Sequence, residues 1–237
     1  MKGTLCSFLG IFVIAFTGCG GESAGAAEPV APPAAVAPVT IDMEGDSLIW
    51  GYTGMSSGIP VQSPNNPPKI VQSILQGELG SSVTTLNNAV NGTTVANSLY
   101  GQGYAGQFST RVASVQAKIV LSDYATNDSV QLSLGDYTSG LVQWLQAVRA
   151  AGKIPVLEEP NPSCAPKHAT LPQYRDAMVA VAQQQNVLLI TQYDYISSLP
   201  NWQSMLQRDC THPTDALYLI KAQREAQQLA PLVKAMQ

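Results

Sequence analysis

From residue 39 onward, short apolar runs trade places with stretches in which apolar residues recur at helical spacing. Few architectures can bury such a chain, because each short run needs neighbours on both faces and each helix has one stripe to cover. Residues 39–44 read as a first strand. A helix over 69–79 follows, with Pro67-Pro68 just ahead of it, where proline is tolerated. Further strands are expected over 83–90, 118–121, 154–157 and 187–190. Asp136 is expected to cap a helix carrying Tyr137, Leu141, Leu145 and Val148 on one stripe, closed by Gly152. Leu171, Tyr174, Met178 and Val181 mark another helix. The last starts near Thr214 and turns Leu217, Ile220, Leu229 and Val233 inward. The pattern predicts a three-layer α/β/α domain around a central parallel sheet. Ligands in such sheets bind beyond the carboxyl ends of the strands. Asp42 and Glu44 share one face of the buried first strand, and the pattern does not say what satisfies them.

Composition removes several alternatives. Apolar residues make up 45% of the 237, enough for a core, while charged residues make up 12% and the net charge is −4. A nucleic-acid partner would need a basic face, so none is expected. The hydrophobicity is too high for a disordered chain.

The N-terminus reads as separate from the fold. Lys2, the mostly apolar run 5–17 and Gly18-Cys19 have the layout of a secretory signal. Phe16-Thr17-Gly18-Cys19 is similar to a bacterial lipobox, which implies lipidation of Cys19 and membrane attachment. Ordinary signal cleavage with Cys19 as a passenger is the alternative. Residues 20–38 are mostly Ala, Pro and Gly and read as an extended tether. The folded domain is then 39–237, placed outside the cytoplasm as a periplasmic or cell-surface lipoprotein, or otherwise secreted.

Two motifs lack the context their chemistry needs. Gly54-Met55-Ser56-Ser57-Gly58 spells a nucleophile elbow, but an elbow joins a strand to a helix within a largely built sheet, and Pro60 follows almost at once. Gly101-Gln102-Gly103-Tyr104-Ala105-Gly106 spells a dinucleotide fingerprint, but Asn97-Ser98-Leu99-Tyr100 before it is a poor strand. A flexible loop is expected there.

Four blocks fall at strand ends or in the loop before the last helix: Gly45-Asp46-Ser47-Leu48, Asn91-Gly92-Thr93-Thr94, Ala125-Thr126-Asn127-Asp128 and Asp209-Cys210-Thr211-His212-Pro213. In this order, on this alternation, they resemble the SGNH hydrolases, the GDSL esterases and lipases. The resemblance covers most of 39–237 and implies a flavodoxin-like fold. It implies Ser47 as nucleophile, His212 as the base that takes its proton, and Asp209 as the group that orients the imidazole. It further implies oxyanion donors at the Ser47 and Gly92 N–H groups and the Asn127 side chain. Ala125 stands where the family usually has glycine, which puts the local backbone in question if that position needs positive φ.

The other candidates are weighed on their surroundings. His168 has no acidic residue three before it and reads as a surface or rim histidine. Asp46 and Asp128 are expected to hold local backbone N–H groups rather than act as a glycosidase pair. No cluster has metal-ligand spacing, so neither a metal nor a cofactor is expected. Glu44, Asp46, Asp123, Asp128, Glu158, Glu159 and Asp209 crowd the active edge and predict a negative field there. Cys164 and Cys210 are the only cysteines left in the folded domain, so an exported chain should join them; two free buried thiols are the alternative. The expected activity is hydrolysis of acyl esters, lipid-like or O-acylated glycan, through an acyl-enzyme. The alternatives are an acyltransferase using the same nucleophile and a catalytically silent, glycan-binding surface lipoprotein.

Overall fold

The computed structural model describes residues 36–237; the signal-like segment with Cys19, and the tether as far as residue 35, lie outside the described residues. The chain runs β1 (Val39–Gly45), α1 (Ser47–Trp50), β2 (Tyr52–Ser56), β3 (Ile59–Gln62), α2 (Pro67–Leu79) and β4 (Val83–Asn87). It continues through α3 (Val95–Tyr100), α4 (Phe108–Ser114), β5 (Ile119–Asp123), α5 (Asp128–Gln131), α6 (Leu134–Ala150) and β6 (Ile154–Glu158). It ends with α7 (Leu171–Gln185), β7 (Leu188–Ile190), α8 (Tyr193–Ser198) and α9 (Asp215–Lys234). Among the described residues no helix is long and apolar enough to cross a membrane.

Five strands form one parallel sheet in the order β4-β1-β5-β6-β7. Counting those five alone, this is the doubly wound order 2-1-3-4-5, whose direction reverses between β1 and β5. Alternation along the strands divides the core into two layers. Val39, Ile41, Met43, Ile119 and Leu121 pack toward α2 and α9, through Val71, Leu75, Ala226 and Leu229. Val120, Tyr124 and Leu157 face α3, α4, α6 and α7, through Val95, Phe108, Trp144 and Met178.

The remaining face of β1 carries Asp42 and Glu44, each 1% exposed, and the fold supplies partners for both. Asn88 Nδ2 donates to Asp42 at 2.7 Å. Arg111 of α4 grips Glu44 with two nitrogens, at 2.5 and 3.1 Å, and lies over the Tyr104 ring at 4.1 Å. Burial still outweighs these partners: it pushes Asp42 up to about 6 and Glu44 to about 7.

The structure moves several boundaries. The regular β4 ladder stops at Asn87, although Asn88 and Val90 still donate to β1 carbonyls at 3.0 Å. Helix α6 starts one turn early because Ser133, not Asp136, is its cap: Asp136 N donates to Ser133 Oγ at 3.1 Å. Gly152 takes φ 71° after the helix. The elbow-like motif 54–58 lies in an antiparallel hairpin, β2 with β3, outside the main sheet. The fingerprint-like motif 101–106 follows α3, a helix held by a reciprocal cap between Thr94 and Asn97, and not a strand. The loop is pinned, since Tyr104 Oη meets Thr93 Oγ1 at 2.9 Å and Tyr124 Oη at 2.8 Å.

Candidate active site

Strand β1 ends at Gly45 with φ 146°, where an added Cβ would come within 3.0 Å of Ile49 and 3.3 Å of the Asp123 carbonyl. That forced turn starts α1 at Ser47. Asp46 caps it by accepting the Leu48 N–H at 2.8 Å, so Ser47 sits buried on the first helical position, directly beyond the strand. Gly92 adopts φ 82° in the turn after β4, a conformation that favours glycine, and no described atom beyond its own chain neighbours lies within 4 Å of where its Cβ would be. No acceptor among the described residues meets the Ser47 or Gly92 N–H.

Asn127 follows β5 on the far side of β1. Its Nδ2 donates to Asp46 Oδ2 and to the Thr93 carbonyl, both at 3.0 Å. Both amide hydrogens are therefore taken, and the side chain ties the loops after β1, β4 and β5 together. An oxyanion could receive one only by displacing Asp46 or Thr93. Ala125 is buried and is not among the positive-φ residues, so the backbone here does not require the family's glycine. Asp128 accepts the Val95 N–H at 2.9 Å. Thus Asp46 and Asp128 both hold backbone N–H groups, as expected.

The fourth block arrives on a loop before α9. Asp209 Oδ1 accepts the N–H groups of Thr211 and His212, each at 3.0 Å, and Oδ2 lies 2.5 Å from His212 Nδ1. A carboxylate can only accept, so Nδ1 carries the proton and Nε2 has a free lone pair. Nε2 lies 2.8 Å from Ser47 Oγ, across 165 residues of sequence. Burial lowers the His212 pKa, and Lys167 lowers it further, while Asp209 pulls the other way. For Asp209, burial works upward, but the hydrogen bonds from His212 and Thr211 hold its carboxyl below the ordinary value.

Cys164 and Cys210 form a disulfide, with Cα atoms 5.0 Å apart. Cys210 takes φ 58°, between Asp209 and His212. Its carbonyl accepts from Cys164 N at 2.9 Å and Ser163 Oγ at 2.8 Å, and Asn161 Nδ2 donates to the Thr211 carbonyl at 3.0 Å. The loop after β6 therefore carries the His212 loop.

Three features escape sequence reasoning. The Tyr52 ring lies 4.1 Å from the His212 ring, centroid to centroid; it stands five residues after Ser47, and no pattern points to it. His168 is 4% exposed rather than on a rim, with Nδ1 3.3 Å from Ser129 Oγ. Burial drives its pKa down to about 4, with Lys167 and His212 adding to the shift. Four of the seven carboxylates expected at the negative edge also have a cation beside them. Lys221 of α9 is buried at 3.1 Å from Asp123 and 3.7 Å from Glu158, Arg111 covers Glu44, and Arg175 stands 3.9 Å from Glu159. A count of carboxylates misses these cations because two of them come from helices remote in sequence.

The profile of the GDSL-like Lipase/Acylhydrolase family matches residues 44–220, from the end of β1 into α9. No curated protein matches the chain by sequence. Several solved structures share the fold. The lipase/acylhydrolase from Enterococcus faecalis is 16% identical, with TM-score 0.68 over 82% of this chain and 96% of that one. A carbohydrate acetylesterase from Sinorhizobium meliloti is 14% identical, with TM-score 0.64 over 82% and 99%. An aryl esterase from M. smegmatis is 15% identical, with TM-score 0.63 over 82% and 99%. With most of its length under that family profile, the chain belongs to the GDSL-like lipases and acylhydrolases, the SGNH family, and is a carboxylic ester hydrolase.

Proposed function

We propose that Ser47, His212 and Asp209 hydrolyse acyl esters through an acyl-enzyme. The observation that carries this reading is the 2.8 Å approach of the His212 imidazole to a helix-initiating serine. In the proposed cycle Ser47 Oγ attacks the ester carbonyl carbon as its proton passes to His212 Nε2. Asp209 holds the ring and offsets the charge it gains. The N–H groups of Ser47 and Gly92 meet the developing oxyanion, joined by Asn127 once one of its two hydrogen bonds gives way. The bond to the alcohol breaks, and His212 returns the proton to the leaving oxygen. Water then enters on the same side and its oxygen attacks the acyl carbon as its proton passes to His212; the acyl bond to Ser47 Oγ breaks, His212 returns the proton to Oγ, and the acid and free Ser47 are released.

Neutral esters fit this edge, where the cations beside Glu44, Asp123, Glu158 and Glu159 are engaged by those carboxylates. Likeness to a carbohydrate acetylesterase and to an aryl esterase supports acyl esters of sugars or phenols as the first to try. The proposal includes 39–237 as the hydrolase domain, exported by 1–19 and tethered through 20–38, with Cys19 as a lipid attachment point outside the cytoplasm. The central test is labelling by a fluorophosphonate followed by peptide mapping. Adduct on Ser47, lost in Ser47→Ala together with ester hydrolysis, is the expected result; adduct elsewhere with full activity in Ser47→Ala refutes it.

A further inference from the structure

The β2–β3 hairpin contributes no fully buried residue to the core. Every residue of β3 is exposed, with Ile59 at 67%, and on β2 Met55 stands at 57%. Residues 47–68 contain no charged side chain. At its base the hairpin is tightly held. The Tyr52 carbonyl accepts from Tyr218 Oη at 3.0 Å and from Gln207 Nε2 at 2.9 Å, and Ser63 N donates to the Gly51 carbonyl at 2.7 Å. A finger fixed at its root, with Met55 and Ile59 left uncovered beyond it, calls for an occupant.

Register tells the two faces apart. Tyr52 pairs with Gln62 and Met55 with Pro60, across an irregularity between Tyr52 and Gly54. Directly paired residues share a face, and along β3 alternate residues do. Tyr52, Met55, Pro60 and Gln62 therefore lie on one face, and Val61 and Ile59 on the other. The first face is the one whose Tyr52 ring covers His212. Apolar Met55 and Pro60 thus share the face that starts with Tyr52 at the imidazole, and Met55 lies about 10 Å along the strand at ~3.3 Å per residue.

The side of the site on which this strip lies assigns its ligand. In the mechanism proposed above, the leaving oxygen takes its proton from His212 Nε2, so the alcohol departs on the His212 side. The donors at Gly92 and Asn127 belong to the loops after β4 and β5. We infer that the Tyr52–Met55–Pro60 face of the hairpin is the subsite for the alcohol portion of the ester, and that it takes an alkyl or aryl alcohol. The inference rests on the proposed esterase reading and adds which half of the substrate the hairpin selects. The same face would receive an added alcohol that intercepts the acyl-enzyme, forming a new ester and regenerating Ser47 with its proton.

The test compares two ester series on the full domain, each below its aggregation concentration. In one the acid is fixed and the alcohol grows, ethyl acetate against octyl acetate. In the other the alcohol is fixed and the acid grows, ethyl acetate against ethyl octanoate. Met55→Ser should cut the kcat/KM preference for octyl over ethyl acetate by about tenfold, the scale of losing an apolar contact. It should leave the ethyl octanoate preference in place, and Met55→Leu should restore the wild-type ratio. Ile59→Ser, on the opposite face, should change neither ratio. Binding of N-octylacetamide by calorimetry reads the subsite without turnover. Binding weakened by Met55→Ser in a protein that hydrolyses no ester would sink the esterase reading and keep the subsite. A shift in acid-chain preference instead, or N-octylacetamide binding indifferent to Met55→Ser, overturns the inference. So does an equal effect of Ile59→Ser, which would point to a lipid surface or a second copy covering both faces.

Discussion

The site is assembled from two halves held in different ways. Ser47, Gly92 and Asn127 stand immediately beyond β1, β4 and β5, where the sheet changes direction, and their loops are cross-braced by Asp46 and the Thr93 carbonyl. Asp209 and His212 stand on no strand. Their loop is suspended from the loop after β6 by the disulfide and the hydrogen bonds around it, and the Asp209 side chain is 42% exposed. A sheet edge can place the proposed nucleophile and oxyanion donors without covalent help, because buried neighbours leave the strand ends no alternative. The proposed base, on an exposed loop, has no such backing, and a cross-link takes its place.

Several measurements can break or sharpen this contrast. The largest effect belongs to the strand-borne half: Ser47→Ala should lower kcat by about a millionfold with the fold intact by circular dichroism. Ser56→Ala, in the exposed hairpin, should keep most of the activity. Equal losses in the two variants would break the assignment. Next comes the suspended half. Cys164→Ser should cost up to about 100-fold in kcat through displacement of His212 and about 4 kcal/mol in stability by closing no loop. Hydrogen exchange should rise over 207–213 and stay low over 45–49. If exchange rises equally in both, the halves are not held separately.

A subtler effect concerns protons. His212 must be neutral to accept from Ser47, and its pKa lies below the ordinary 6.5. Activity should therefore hold as pH falls to 6.5 and be lost only as pH falls through the lower folded value. Asp209→Asn removes the partner that raises it, so the residual activity should show an acid limb at still lower pH; a limb above 6.5 in the wild type contradicts the burial argument. The smallest effect is at Ala125. Because its backbone needs no positive φ, Ala125→Gly should destabilise by about 0.5–1 kcal/mol, from the added freedom of the unfolded chain, as read by urea titration.

How much of this was legible in the sequence follows from how local each signal is. The five sheet strands and helices α2, α6, α7 and α9 announce themselves through runs that must be buried on one stripe or both faces. The β2–β3 hairpin left no such trace, since neither of its faces enters the core, and α3 and α4 are too short to establish a period. The four blocks could be read because each is contiguous and lies where the alternation ends an element. The Tyr52–His212 contact, the burial of His168 and the pairing of Asp123 with Lys221, 98 residues away, depend on tertiary neighbours that no window of sequence contains.

Asn127 has two amide hydrogens and, under the proposed mechanism, three claimants: Asp46, the Thr93 carbonyl and the oxyanion. Two donors cannot serve three acceptors at full strength, so cohesion and turnover compete at one side chain. Substitutions that tighten the brace would raise resistance to heat while slowing acylation, and ones that loosen it would do the reverse. The keystone of the arch is also the latch of its gate, and selection on either property is felt by the other.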